Sequence, residues 1–213
     1  MGSTIMHLGI SEQLKQKFNF SNEFLIGAVA PDIIKRLPNT DRKTTHYLEE
    51  YNYNGKMKRL PNIENFLNDN INEESDYFYG YLSHLLQDKI WFDKYVPMCA
   101  ERIVEGKVKF LKDNSIHMEK DFSEEMYKDY AKISEFILDE IELDLEKIKL
   151  NIKKYFNDEL INNIVDNEIK IYDVIESREN CFLSNEMIEK YFKDCLQECE
   201  KYISERKKIE CKI

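Results

Sequence analysis

From Glu73 to Tyr95 the chain reads EESDYFYGYLSHLLQDKIWFDKY, a run without proline that opens on acidic residues and carries apolar or aromatic side chains on more than one helical face. Acids in a first turn and an uninterrupted interior mark a helix. A surface helix needs only one apolar stripe, so one that is apolar on several sides has to be enclosed by others. That requirement points to an all-α fold, a single-domain helical bundle. Composition agrees: 6 Gly and 4 Pro among 213 residues leave few places to punctuate strands and hairpins. The length suits one domain with a well-buried core, taken as residues 1–213. With 42% hydrophobic and 34% charged residues the chain is globular rather than disordered.

Other segments extend the helical reading. Ile5, Leu8, Leu14 and Phe18 recur at roughly helical spacing and predict a helix over about 5–18. Ser21 is placed to cap a second helix, Asn22 to Ala30, which Pro31 should stop. Pro38 to Lys43 is polar and loop-like, and Pro61 suits the first turn of a short helix carrying Ile63, Phe66 and Leu67. Farther on, Ile133, Ile137, Ile141 and Leu145 repeat every four residues, continued by Ile148 and Ile152. Ser184 is a candidate cap for a last helix with the stripe Met187, Ile188, Tyr191, Phe192, Cys195, Leu196 and Cys199.

The formal net charge is −10, with Lys and Glu interspersed. Such a field does not draw in a nucleic-acid duplex, and no duplex binding is expected. A phosphate ester stays open as substrate if cations reverse the sign locally. Cys99, Cys181, Cys195, Cys199 and Cys211 form an odd set without a CxxC pair and read as reduced thiols of a cytoplasmic protein. Cys195 and Cys199, one turn apart, are a weak candidate pair for a metal. The start, MGSTIMHLGISEQLKQ, lacks a basic segment followed by an apolar one. No apolar run approaches the roughly 18 residues of a membrane span, so no transmembrane segment is expected.

Only four histidines are present: His7, His46, His84 and His117. Three have an acid four residues later, in His46/Glu50, His84/Asp88 and His117/Asp121. With 41 acids in 213 residues, a histidine meets one at that spacing by chance about one time in five, so spacing alone identifies nothing. Context separates the pairs. Positions four apart share a helix face, and both side chains reach one ion. His84 and Asp88 lie among apolar and aromatic neighbours, where a carboxylate is costly unless a cation or donors compensate it. His117/Asp121, in NSIHMEKDFSEE, is read as solvated, and Glu50 as surface charge. Asp32 after Pro31 reads by itself as a helix-ending turn, and His7 and His46 read singly as surface residues.

Taken together, LIGAVAPD, then a polar stretch ending in THY, then YGYLSHLLQD resemble the zinc-dependent phospholipase C family, within the phospholipase C and P1 nuclease group. The resemblance is clearest over about Ile5–Tyr95 and diffuse beyond. It implies that Asp32, His46, His84 and Asp88 ligate a first zinc, that Asp88 bridges to a second ion also held by His7, and that Asp32 doubles as general base. For the family's further zinc, His117/Asp121 is the one candidate pair, with Asp93 or Asp129 as extra oxygen ligands.

Nitrogen and hard oxygen ligands without thiolate suit one or two Zn²⁺ ions, with manganese or iron as alternatives. The chemistry implied is hydrolysis of a phosphodiester by metal-activated water, on a small phosphate ester or a phospholipid. Two rivals stay open. One is a nucleotide phosphohydrolase of another helical metal-dependent type, although this chain has no HD dipeptide. The other is a non-catalytic protein whose metal staples helices together.

Overall fold

A computed structural model describes residues 3–53, 56–104, 106–170 and 179–210; Cys211 lies outside them. The first helix, α1 (Thr4–Phe18), is capped by Ser3, whose Oγ accepts the Met6 N–H at 3.2 Å. It ends at Asn19 in the left-handed region, φ 54°, where the Asn19 N–H returns to carbonyls of the last turn. Helix α2 (Glu23–Ile34) runs through Pro31 instead of stopping there. Pro31 offers no N–H to the carbonyl of Gly27. Burial of Asp32 and Ile33 on the continuing turn outweighs that lost bond, and the Lys35 N–H closes onto the Pro31 carbonyl at 3.2 Å.

The polar stretch after α2 contains a short helix, α3 (Arg42–Thr45), capped by Asp41 through the Thr44 N–H at 2.7 Å. Strands β1 (Leu48–Tyr53) and β2 (Lys56–Pro61) then pair antiparallel, with Leu48 opposite Pro61. Pro61 therefore ends a strand rather than opening a helix. Asn62 instead caps α4 (Ile63–Asp69), accepting the Asn65 N–H at 3.0 Å. The long segment becomes α5 (Asp76–Ile90), capped by Ser75, then a π-helical turn (Trp91–Tyr95) and the short α6 (Val96–Cys99). Next come β3 (Ala100–Val104), β4 (Lys107–Phe110) and β5 (Ile116–Met118), a three-stranded antiparallel sheet in that order.

Helix α7 (Glu119–Glu140) and helix α8 (Leu145–Phe156) divide the isoleucine ladder between them. Ile141 turns extended at φ −129°, and Asp144 caps α8 by accepting the Lys147 N–H at 2.9 Å. After α9 (Glu159–Glu168), Ser184 caps α10 (Asn185–Glu210) through the Met187 N–H, in agreement with its position in the sequence. The buried apolar residues of α1, α2, α5 and α7–α10 merge into one core. Among the described residues the fold is mostly helical, and the strands make two small sheets.

The crossing of α2 and α5 sets the geometry of the interior. A Cβ on Gly27 would strike the Tyr77 carbonyl, and one on Gly80 would strike the Phe24 carbonyl. Only glycine lets the two backbones come this close. The turns just beyond carry Ala28 and Asp32 on one helix and His84 and Asp88 on the other.

Candidate metal centre

Four elements at or beside that crossing deliver five side chains to one place. His7 comes from α1, Asp32 from α2, His84 and Asp88 from α5, and His46 from the end of α3. All are buried, four of them with no exposure at all and Asp32 at 2%. Facing atoms lie close: His46 Nε2 is 3.1 Å from Asp32 Oδ1 and 3.4 Å from His84 Nε2. His46 Nε2 is also 3.8 Å from Asp88 Oδ2, and His7 Nε2 is 3.5 Å from Asp88 Oδ1.

The far side of each imidazole fixes which nitrogen carries the proton. His84 Nδ1 contacts the Ala28 carbonyl at 2.7 Å, and a carbonyl only accepts, so Nδ1 donates. His46 Nδ1 lies 2.9 Å from Thr45 Oγ1, whose own proton goes to the Asp41 carbonyl at 3.1 Å; Nδ1 must again donate. His7 Nδ1 lies 2.9 Å from Gln87 Oε1, while the Gln87 amide nitrogen donates to Ser83 and Ser11. All three rings thus turn Nε2 into the same space. Outer partners of this kind are what orient histidine ligands around an ion. Burial pushes the His84 pKa down to about 3, with the neighbouring His7 adding to the effect, so this ring is neutral at ordinary pH.

The carboxylates complete the set. Burial pushes both upward, but around Asp32 the His84 ring, the hydrogen bond to His46 and the Lys35 ammonium outweigh it. Lys35 Nζ donates to Asp32 Oδ1 at 2.7 Å. For Asp88 the nearby His7 and His84 outweigh burial, and its pKa falls below the usual range. Among the described residues, neither oxygen of Asp88 has a hydrogen-bond donor, and His7 Nε2 makes no hydrogen bond either. Buried charges and lone pairs left this way are expensive without a cation.

A divalent ion held among these side chains would answer the deficit. With metal–ligand bonds of about 2.0–2.1 Å, tetrahedral zinc separates its ligand atoms by roughly 3.3 Å. The spacings here cluster about that value. Two overlapping trios, His7–Asp32–His84 and His46–His84–Asp88, each bring their ligand atoms within 4.8 Å of one another. The residues present fit a zinc site and contain no thiolate that would favour a softer metal.

Residues 4–205 match the family model described as zinc dependent phospholipase C. The chain belongs to that family. Comparisons with curated proteins and with solved structures gave no match. The match to the zinc-dependent phospholipase C family extends far past Tyr95, into segments whose sequence carries little visible likeness. Among the described residues no helix is long and apolar enough to cross a membrane.

The candidates outside the cluster have other partners. His117 sits in β5, stacked on Phe110 with centroids 3.9 Å apart and bonded to Ser115, while Asp121 accepts the Met118 N–H at the start of α7. Asp93 is paired with Lys58 at 2.6 Å. Asp129 is buried but accepts the backbone N–H groups of Cys181, Phe182 and Leu183, which ties that loop down. None of these groups joins the cluster as an extra ligand. Glu50 pairs with Arg59 at the surface, in keeping with its polar context. Cys99, Cys181, Cys195 and Cys199 are free thiols, and Cys199 lies against Ser83 rather than a metal position.

Sequence reasoning missed Lys35, Arg42, Gln87 and Thr45. Arg42 is the most informative: its Nη2 reaches within 3.8 Å of Asp88 Oδ2, its guanidinium lies over Phe92, and its side chain is 40% exposed. Arg42 Nε is buried without a hydrogen-bond partner. The π-helical turn carries Phe92 and so holds this arginine between solvent and the cluster. A sequence signal existed, since Arg42 lies four residues before His46.

Proposed function

We propose that this protein is a zinc-dependent phosphoric ester hydrolase, acting on a phosphodiester of the kind found in phospholipid head groups. The reading rests on one observation above all: three histidine Nε2 atoms and two carboxylates converge, with both oxygens of Asp88 lacking a hydrogen-bond donor among the described residues. Asp32, His46, His84 and Asp88 would hold one ion, and His7 with Asp88 a second. When bound, the metal supplies Lewis acidity, neutralising phosphoryl oxygens and lowering the pKa of water toward about 7.

The chain's own residues divide the remaining work. Ala28, Thr45 and Gln87 keep the three imidazoles aimed inward. Asp32 is the group placed to take the proton that water loses, and Lys35 holds its carboxylate in position. Arg42, half-exposed and with an unpartnered Nε, would meet the phosphate as it arrives and grip it through planar donors. Complete burial of the five side chains also suits the rival in which the ion merely staples α1, α2, α3 and α5 together.

Turnover separates the two. Zinc-loaded protein should hydrolyse p-nitrophenyl phosphorylcholine or bis-p-nitrophenyl phosphate, lose this activity in EDTA, and lose most of it in Arg42→Ala with zinc content unchanged. A protein that retains zinc yet turns over neither ester across a wide metal and pH screen belongs to the structural reading.

A further inference from the structure

The sheet β3–β4–β5 has two unlike faces. Its inner side carries Ala100, Val108 and Phe110, which pack with Phe122 and Phe182. On the outer side, strand register sets two rows of side chains across the sheet. Val104, Lys107 and Met118 form one, and Glu101, Lys109 and Ile116 the other. The apolar members are open to solvent: Val104 at 56%, Ile116 at 62% and Met118 at 45%, with Ile103 beside them at 46%. Among the described residues neither Lys107 nor Lys109 takes part in an ion pair.

Exposed apolar side chains grouped on one face are costly in water and commonly mark a contact surface. Interleaved lysines narrow the choice of partner. A protein interface tends to be depleted in lysine at its centre. At a bilayer surface the same mixture is favourable, because apolar ends enter the acyl boundary while ammonium groups stay at the level of the phosphates. The face sets Lys107 and Lys109 against Glu101, and the whole chain carries −10. Long-range attraction to lipid is therefore weak, and the apolar side chains must supply most of the driving force.

We infer that the outer face of this sheet seats the protein on a phospholipid bilayer, with Ile116, Met118, Ile103 and Val104 entering the interface and Lys107 and Lys109 lying against lipid phosphates. This deepens the phosphodiester reading above, since it gives an enzyme of lipids its contact with them, but the surface can be tested separately.

Vesicles of phosphatidylcholine, with and without phosphatidylglycerol, should co-sediment with the zinc-loaded protein. I116S/M118S should weaken that partitioning by on the order of 100-fold. K107E/K109E should weaken it on vesicles containing phosphatidylglycerol by on the order of 30-fold. Both pairs lie on the outer face, so zinc content, helical circular dichroism and turnover of soluble p-nitrophenyl phosphorylcholine should match the unaltered protein. Vesicle binding without turnover would refute the hydrolase while the lipid surface stands; turnover without vesicle binding would do the reverse. Unchanged binding by both variants overturns the assignment. So does self-association in solution that the same substitutions abolish, which would give the face to a second copy of the chain.

Discussion

Replacing Asp88 with Asn changes one buried charge at almost constant volume, and the structure predicts a loss of stability that is larger with zinc than without it. With zinc present, the wild-type protein gains RT ln(1 + [Zn]/Kd), or about 4 kcal/mol when the free ion is a thousandfold above Kd. For a chain of 213 residues, roughly 2–4 °C of melting temperature accompanies each kcal/mol, so zinc should raise the wild-type midpoint by roughly 8–16 °C. Asp88→Asn should lose most of that gain, because an amide is a poor ligand and the site loses a unit of negative charge. In EDTA the loss is smaller. Without metal, His7 and His84 still hold the carboxylate ionised in the fold, and Arg42 stands 3.8 Å away. A carboxylate whose pKa is lowered by folding contributes stability at neutral pH, so neutralising it should destabilise the metal-free protein by about 1–3 kcal/mol, or roughly 2–12 °C. Thermal melts of both proteins with zinc and with EDTA, beside zinc content by mass spectrometry, decide the matter. Equal zinc stoichiometry in the two proteins, or a variant more stable than wild type in EDTA, would refute the reasoning.

Gly80→Ala should force α2 and α5 apart, costing about 1–3 kcal/mol or more and reducing zinc content, whereas an alanine at exposed Ser123 should do neither. A Gly80→Ala protein with wild-type melting and zinc content would contradict the close-crossing argument. His117→Ala should keep its full zinc complement, and a lost ion would mean that β5 belongs to the site. In the metal-free protein, His84 has its pKa near 3 in the fold against 6.5 as the ordinary value, so between these the unfolded chain binds the extra proton. Stability should be full above about pH 6.5 and fall as the pH drops toward 4; a flat denaturation profile over that window would remove His84 from its neutral, buried role.

How much of the fold and the site was legible in the sequence depends on where each signal lay. The all-round apolar character of α5 required a bundle, and the same helix displayed His84 and Asp88 on one face. The remaining three candidate ligands were visible only as a pattern in order along the chain. Asp32 by itself read as the end of a helix, because local propensity at Pro31 pointed that way and only the burial of Asp32 and Ile33 reverses it. His46 has no apolar neighbourhood of its own, and His7, though flanked by Ile5, Met6 and Leu8, has no acid at helical spacing to single it out; contacts from α5 meet both rings. The two sheets escaped notice because β1 and β2 carry too many charged residues to alternate cleanly, and β3–β5 are too short to show a period. Arg42 and Lys35 looked like ordinary surface cations. Their importance arises from what α5 and α2 bring opposite them.

Crystals of the zinc-loaded protein, measured on both sides of the zinc absorption edge, bear most directly on whether His7, Asp32, His46, His84 and Asp88 share an ion. The account predicts one or two anomalous peaks enclosed by these five side chains and none at His117, Asp93 or Asp129. An empty cluster, or zinc bound elsewhere on the chain, would contradict it.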